Sequence, residues 1–360
     1  MQCRSIFVLG RDPQLSIAEI GSLFQMHGIS FSVQKFTQDY AVIASAPFDK
    51  QKFMQRLGGT LKIADVIEDF EGIYNGNKSK VAYSINAFTD DNDLAHDVEF
   101  QLKSMLRDQG LKVFGKKNLE RRPSRSAKVD VEVVVAGDTV GKVAAVSDPK
   151  AYKERDEARP HFEAARVISL RLARILINLS QVKERQALLD PFCGLGTILQ
   201  EACLMGIRSI GIDKDRMMVQ HAKENLQWLG RQYASLWKVM QEDATRLKNA
   251  VSNADGAATE PYLGPYVKTV MSTADAELLK KELTVLYTRT LQQLRDVVGG
   301  KVAFIFPRFK TKENKRVSLD IDSILRNSGY KIFQPVPAVA MPIPYYHTRS
   351  AVERFIYVLE

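Results

Sequence analysis

The spacing of hydrophobic residues changes period several times along the chain, and each change marks an element. Ile6-Phe-Val-Leu9 is an unbroken apolar run and predicts a strand. Asp12-Pro13 then supplies an N-cap and a first-turn proline for a helix carrying Leu15, Ile17, Ile20, Leu23 and Phe24 at helical spacing. Strands at Phe31 to Phe36 and Tyr40 to Ala44, a short helix at Lys50 to Leu57 and a strand near Leu61 to Ile67 complete a β-α-β-β-α-β order, the ferredoxin-like pattern. Glu71 to Lys80 is polar and reads as a linker. A second small unit follows: a strand at Val81 to Ala87, a helix with Leu94, Val98, Leu102 and Leu106 on one face, and a loop from Gly115 to Lys128. Two alternating strands, Val129 to Val135 and Val140 to Val146, then turn at Gly137-Asp138 as a hairpin.

Beyond Ala151 to Pro160, which reads as a connector, an amphipathic helix is expected over Ala164 to Leu179. From there to the C-terminus, apolar strands at Ala187 to Leu189, Arg208 to Ile212, Trp237 to Met240, Gly256 to Thr259, Val302 to Phe306, Ile332 to Val336 and Arg354 to Leu359 alternate with helical segments. Seven such strands describe a doubly wound α/β sheet. The expected organisation is thus a ferredoxin-like unit over 1–70, a second α+β unit over 71–150, a linker and connecting helix over 151–185, and an α/β domain over 186–360. A chain of 360 residues has room for all of them.

Charge sharpens this outline. There are 51 Lys and Arg against 42 Asp and Glu, a net charge of +9. The excess is local: eight cations against two acids between Arg107 and Lys128, and six against one between Lys301 and Arg316. Lys116, Lys117, Arg121, Arg122 and Arg125 in the first run, with Lys310 and Lys312 in the second, are therefore candidate contacts for a polyanion such as nucleic acid. The three cysteines make no disulfide framework and no Cys-x-x-Cys metal pair, which suits a reducing, cytoplasmic setting. No apolar run approaches the ~20 residues of a membrane span, so neither secretion nor a membrane anchor is expected.

The chemistry is concentrated at strand ends of the last domain. Asp190-Pro-Phe192-Cys193-Gly194-Leu-Gly196-Thr197 closes the first strand, and its glycines let the turn approach a ligand before a helix begins. It lacks the third glycine of a dinucleotide fingerprint. Asp213 ends the second strand, where a ribose diol is held in nucleotide-binding sheets. Asp243-Ala244 follows the third, offering a carboxylate to an adenine amino group. After the fourth comes Glu260-Pro261-Tyr262: a carboxylate, a proline and an aromatic that together suit a planar base with an amino group.

This constellation resembles the class I S-adenosylmethionine-dependent amino methyltransferases. The whole chain resembles the THUMP-domain tRNA guanosine-10 N2-methyltransferases, on Phe7-Val-Leu-Gly-Arg11, Leu15-Ser-Ile-Ala-Glu19, Arg155-Asp156, Arg159-Pro160, Leu172 to Leu179, Asp190 to Leu199 and Tyr346 to Val358. The resemblance implies a Rossmann-like methyltransferase sheet preceded by ferredoxin-like and THUMP-like units, S-adenosylmethionine as cofactor, and tRNA as substrate. In some relatives it also implies a small zinc-binding activator subunit. It assigns Asp190, Phe192, Cys193, Gly194, Gly196 and Thr197 to the methionine end of the cofactor, Asp213 to its ribose, and Asp243 with Ala244 to its adenine. Glu260, Pro261 and Tyr262 would hold the amine being methylated. The family's usual Asp-Pro-Pro-Tyr-Gly is here Glu260-Pro-Tyr-Leu-Gly264, one methylene longer at the acid and with tyrosine one place early. Two other readings share part of the pattern: a DNA methyltransferase acting on N6 of adenine or N4 of cytosine, and a non-catalytic RNA-binding protein that keeps the sheet.

Overall fold

The N-terminal apolar run forms β1 (Cys3–Leu9), the third strand of a sheet that begins β2 (Phe31–Phe36), β3 (Tyr40–Ser45), β1, β4 (Thr60–Val66), all antiparallel. Helix α1 (Pro13–Met26) carries Leu15, Ile17, Ile20, Leu23 and Phe24, all fully buried. Helix α2 (Lys50–Arg56) begins where the Asp49 carboxylate accepts the N–H groups of Gln51 and Lys52. The computed structural model describes residues 2–116, 129–163, 168–265, 270–346 and 350–360. Residues up to Ile20 with His27–Glu154 make one compact unit; Gly21–Met26 with Arg155–Glu360 make a second.

The same sheet continues from β4 into β8 (Thr139–Val146), β7 (Val131–Ala136), β5 (Lys80–Phe88) and β6 (Lys112–Gly115). Two motifs distinct in sequence are thus hydrogen-bonded to one another through the antiparallel β4–β8 pair. The buried Lys62 of β4 pairs with Glu132 of β7 at 2.5 Å, and Asn86 of β5 donates to the same carboxylate. On one face, α3 (Asn92–Asp108) packs Val98, Leu102 and Leu106 against Tyr83, Val131, Val133 and Val135. The expected hairpin is present, with Ala136 opposite Thr139 and Gly137 at φ +64°.

Residues expected to be a connector form helix α4 (Pro149–Ala158), which has no buried residue. With no apolar face there is no hydrophobic period to read. The surviving signal is Asp148-Pro149, whose carboxylate accepts the N–H groups of Lys150 and Ala151. The following helix, α5 (Leu170–Leu179), is capped by Ser169 and is almost wholly buried. Residues 164–167 of its expected N-terminal extension lie outside the described residues.

The second unit alternates β9 (Ala187–Asp190), α6 (Thr197–Leu204), β10 (Arg208–Asp213), α7 (Arg216–Trp228), β11 (Trp237–Gln241), β12 (Gly256–Thr259) and α8 (Thr273–Val297). It continues with β13 (Val302–Lys310), β14 (Arg316–Ser318), α9 (Ile321–Ser328), β15 (Ile343–Tyr345) and β16 (Val352–Leu359). Seven strands lie in the order β11-β10-β9-β12-β13-β16-β15; β9 to β13 are parallel, and β16 runs antiparallel to both neighbours. The short β14 is an addition, paired to β13 alone. The expected strand at Ile332 to Val336 is corrected: Ile332 makes an isolated bridge to Leu359, and Phe333 donates to the Val358 carbonyl. Pro335 and Pro337 then lack the N–H that a ladder needs, and β15 takes the edge of β16 instead. Tyr287 of α8 meets Phe304 and Phe306 edge-on at 5.3 and 5.7 Å in the centre of the core.

Candidate active site

In the strand order the sequence direction reverses between β9 and β12, which lie side by side. Such a switch point opens a crevice at the carboxyl ends of the strands. The parallel register brings Asp190, Asp213, the Glu242-Asp243 turn and Glu260 to this one edge. The β9–α6 loop crosses it. Gly194 and Gly196 have φ of +48° and +81°, where a side chain is strained, so the loop turns tightly and leaves backbone exposed to whatever occupies the crevice. Gly196 is the N-cap of α6, and no side chain caps that helix. Asn225 of α7 ties the loop down by donating to the Leu195 carbonyl at 2.9 Å.

Asp190 is buried and accepts the Thr259 hydroxyl at 2.7 Å and the Phe192 N–H at 3.1 Å. Burial dominates these bonds and pushes its carboxyl up to about 7, with the Asp213 and Glu260 charges adding to the shift. Asp213 accepts the N–H groups of Gly194 at 3.0 Å and Asp215 at 2.9 Å; burial still raises its pKa. Burial also drives the Cys193 thiol far above its ordinary value, which favours the neutral thiol.

The remaining carboxylates are treated differently. Asp243 caps the 3-10 turn Ala244–Asn249, accepting the N–H and hydroxyl of Thr245, and these bonds lower its pKa. Ala244 is buried beneath that cap. Glu260 takes Arg354 Nε of β16 at 2.5 Å. The turn after it is held by Tyr287, whose hydroxyl donates to the Tyr262 carbonyl at 2.6 Å. Pro261 is buried, while the Tyr262 side chain stands 45% exposed with Lys214 Nζ 5.8 Å from its ring centroid. The site therefore offers an acceptor carboxylate beside an exposed aromatic face.

Thr259, Arg354, Asn225 and Arg159 were given no role by the sequence. Thr259 was readable as the strand residue before Glu260; the Arg354–Glu260 pair, 94 positions apart, was not. Glu201 of α6 is buried and binds Arg155 at 3.1 and 3.2 Å and Arg174 of α5 as well. Of the cationic candidates, Lys116 and Lys312 are exposed. Lys310 is half-buried and, with Arg308 and Arg316, surrounds the buried Glu353. Much of the second basic run thus answers an internal acid. Lys117, Arg121, Arg122 and Arg125 lie outside the described residues.

The chain is similar to several known proteins. A family model described as RMKL-like, methyltransferase domain, matches residues 157–316, and one described as DNA methylase matches 63–224. A tRNA (guanine(10)-N2)-dimethyltransferase of Methanothermobacter thermautotrophicus is 31% identical over 87% of this chain and 88% of its own length. One from Pyrococcus abyssi is 29% identical over 59% of this chain and 55% of its own. In fold, TrmN from Thermus thermophilus is similar over 99% of both chains, with a TM-score of 0.52 at 17% identity.

Proposed function

The chain belongs to the tRNA (guanine(10)-N2)-dimethyltransferase family, and from that membership we propose that it methylates the exocyclic N2 amine of a guanosine in tRNA, at position 10, using S-adenosylmethionine. The observation that carries the reading is the meeting at one switch point of a ligand-ready glycine loop and an acceptor carboxylate beside an exposed aromatic. The residues suit the cofactor: the Gly194 to Gly196 loop leaves room for its amino-acid end, the buried Asp190 suits an ammonium, and Asp213 and Asp243 suit its ribose and adenine. When bound, S-adenosylmethionine supplies a methyl carbon already activated by its sulfonium.

What the chain contributes is alignment and charge. A guanine amine is a weak nucleophile because its lone pair is delocalised into the ring. Glu260, fixed by Arg354, accepts the amine's hydrogens and stabilises the positive charge that develops on nitrogen. Tyr262 stacks on a base turned out of its helix, an unstacking that costs on the order of a few kcal/mol. No histidine base is needed, since an arylammonium loses its proton readily. Residues 71–150 serve as a THUMP-like RNA-binding unit after the ferredoxin-like 1–70, with the methyltransferase domain at 186–360. Lys116 and Lys312 touch phosphates, joined by Lys117, Arg121, Arg122 and Arg125.

The reading places the protein in the cytoplasm; no described helix is long and apolar enough to cross a membrane. It includes a small zinc-binding activator subunit as a partner, checked by whether the chain alone is active. The deciding experiment is Glu260→Ala, assayed for methyl transfer to tRNA and duplex DNA and, by calorimetry, for S-adenosylhomocysteine binding. Transfer to tRNA should fall at least ~100-fold with binding nearly unchanged. Full activity of the variant, or transfer to DNA in place of tRNA, would overturn the assignment.

A further inference from the structure

Three cations converge on Glu353 of β16, whose side chain is 1% exposed. Arg308 Nε donates to its Oε2 at 2.5 Å, while Lys310 Nζ and Arg316 Nε lie 3.5 Å from Oε1. Strand register brings them together. Arg308 stands opposite Glu353 across the β13–β16 pair, and Lys310 stands opposite Arg316 across the β13–β14 pair. Like charges set directly opposite repel, and one carboxylate cannot answer three cations. Arg316 keeps 59% of its side chain in solvent. Among the described residues, neither the terminal nitrogens of Arg308 nor any nitrogen of Arg316 makes a hydrogen bond.

The hairpin that carries these cations is pinned to the start of α8. Glu313 near its tip accepts the Thr273 N–H at 2.9 Å and hydroxyl at 2.7 Å, and the Lys312 N–H donates to the Met271 carbonyl at 3.0 Å. The Phe355 ring covers the Arg308 guanidinium, 4.6 Å from its centroid. Donors held in place before a ligand arrives lose less entropy on binding it. The same strands lead to the catalytic edge. β13 pairs with β12 only over Val302 to Phe304, so Ile305 to Lys310 run on past the strand end where Glu260 follows Thr259. Arg354, which pairs with Glu260, is the chain neighbour of Glu353.

We propose that Arg308, Lys310 and Arg316, gathered around Glu353, form a subsite for one backbone phosphate flanking the nucleotide presented to Glu260. The inference rests on the RNA substrate read above and adds a fixed point of contact beside the reacting base. Guanidinium forks match the paired oxygens of a phosphodiester. Glu353 sets the cations from the buried side, and the phosphate takes their exposed side as the second negative charge.

The test is phosphate-ethylation interference on an unmodified tRNA transcript bound by the full chain. It compares wild type, Arg316→Gln and a charge-matched control, Lys238→Gln, an exposed lysine of β11 at the far edge of the sheet. Ethylating a phosphate that flanks the target guanosine should weaken wild-type binding about 5–10-fold, the scale of one phosphate contact. In Arg316→Gln the same ethylation should cost nothing further, and the salt dependence should flatten by about one in log–log slope. Lys238→Gln should keep the wild-type pattern. A pattern unchanged in folded Arg316→Gln makes the cluster a structural tie and overturns the proposal. An equal change in Lys238→Gln reduces it to bulk charge and does the same, as does a wild type indifferent to ethylation there, a result that needs no variant to fold. Methyl transfer to the same transcript separates the two readings: transfer with an unchanged pattern overturns the subsite alone, and the expected pattern without transfer overturns the activity alone.

Discussion

The loop after β9 and the turn after β12 lie next to each other, yet they treat their acids in opposite ways. Asp190 is enclosed, with a hydroxyl and an amide as its bonding partners and its pKa pushed up to about 7. Glu260 is given a cation by the protein itself, Arg354 at 2.5 Å, and sits beside a side chain open to solvent. Burial disfavours the charge of the enclosed acid, which would suit a ligand that brings its own positive charge. The paired acid is settled before substrate arrives, as a group must be whose task is orientation. On the reading proposed above, one crevice would separate binding a charged small molecule from presenting an acceptor to a large polyanion.

The sharpest way to break this contrast is Asp190→Asn, which keeps both hydrogen bonds and deletes the charge. S-Adenosylhomocysteine affinity should fall about 10–100-fold, the scale of a buried charge-assisted bond. The ligand-free protein should meanwhile become more stable at pH 8. Below pH 4 both folded and unfolded chains hold the Asp190 proton; between about 4 and 7 only the folded chain keeps it, so rising pH destabilises the fold until the cost is complete above 7. That cost is a few kcal/mol, on the order of 1.4 per pKa unit. Thermal unfolding across this range should show the falling slope in wild type and lose it in the variant; an unchanged slope would mean Asp190 is ionised in the fold.

A smaller effect is expected from Arg354→Gln. If Glu260 needs a fixed orientation, kcat for tRNA should drop roughly tenfold, the scale of misplacing one catalytic acceptor, with cofactor affinity unaltered. Unchanged kcat would reduce the pair to a structural tie. Smallest of all, Lys312→Gln together with Lys315→Gln, an exposed lysine of the same basic run, should raise the KM for tRNA a few-fold and make the salt dependence of binding shallower by about two in log–log slope. No change in slope would leave that surface out of RNA binding.

The fold was largely legible because most elements carry a hydrophobic period or stand between turn signals. The failures have physical causes. Helix α4 buries nothing, so only Asp148-Pro149 announced it. The stretch at Ile332 is apolar enough for a strand, but its prolines decide against one. At the site, the acids at strand ends were readable because parallel strands deliver them to one edge. Their partners were not: Arg354 reaches Glu260 only through the antiparallel insertion of β16 between β13 and β15, and the cations around Glu353 looked like free surface charge until that buried acid was seen between them.

The β4–β8 ladder has a consequence for how this chain can be cut or recombined. A break near residue 70 would strip the antiparallel partner from β8 and bare a row of backbone donors and acceptors next to the buried Lys62–Glu132 pair, leaving Glu132 without its cation. The strands from β1 to β8 therefore depend on one another: a fragment encoding only β5 to β8 should yield a sticky, incomplete sheet rather than a portable module.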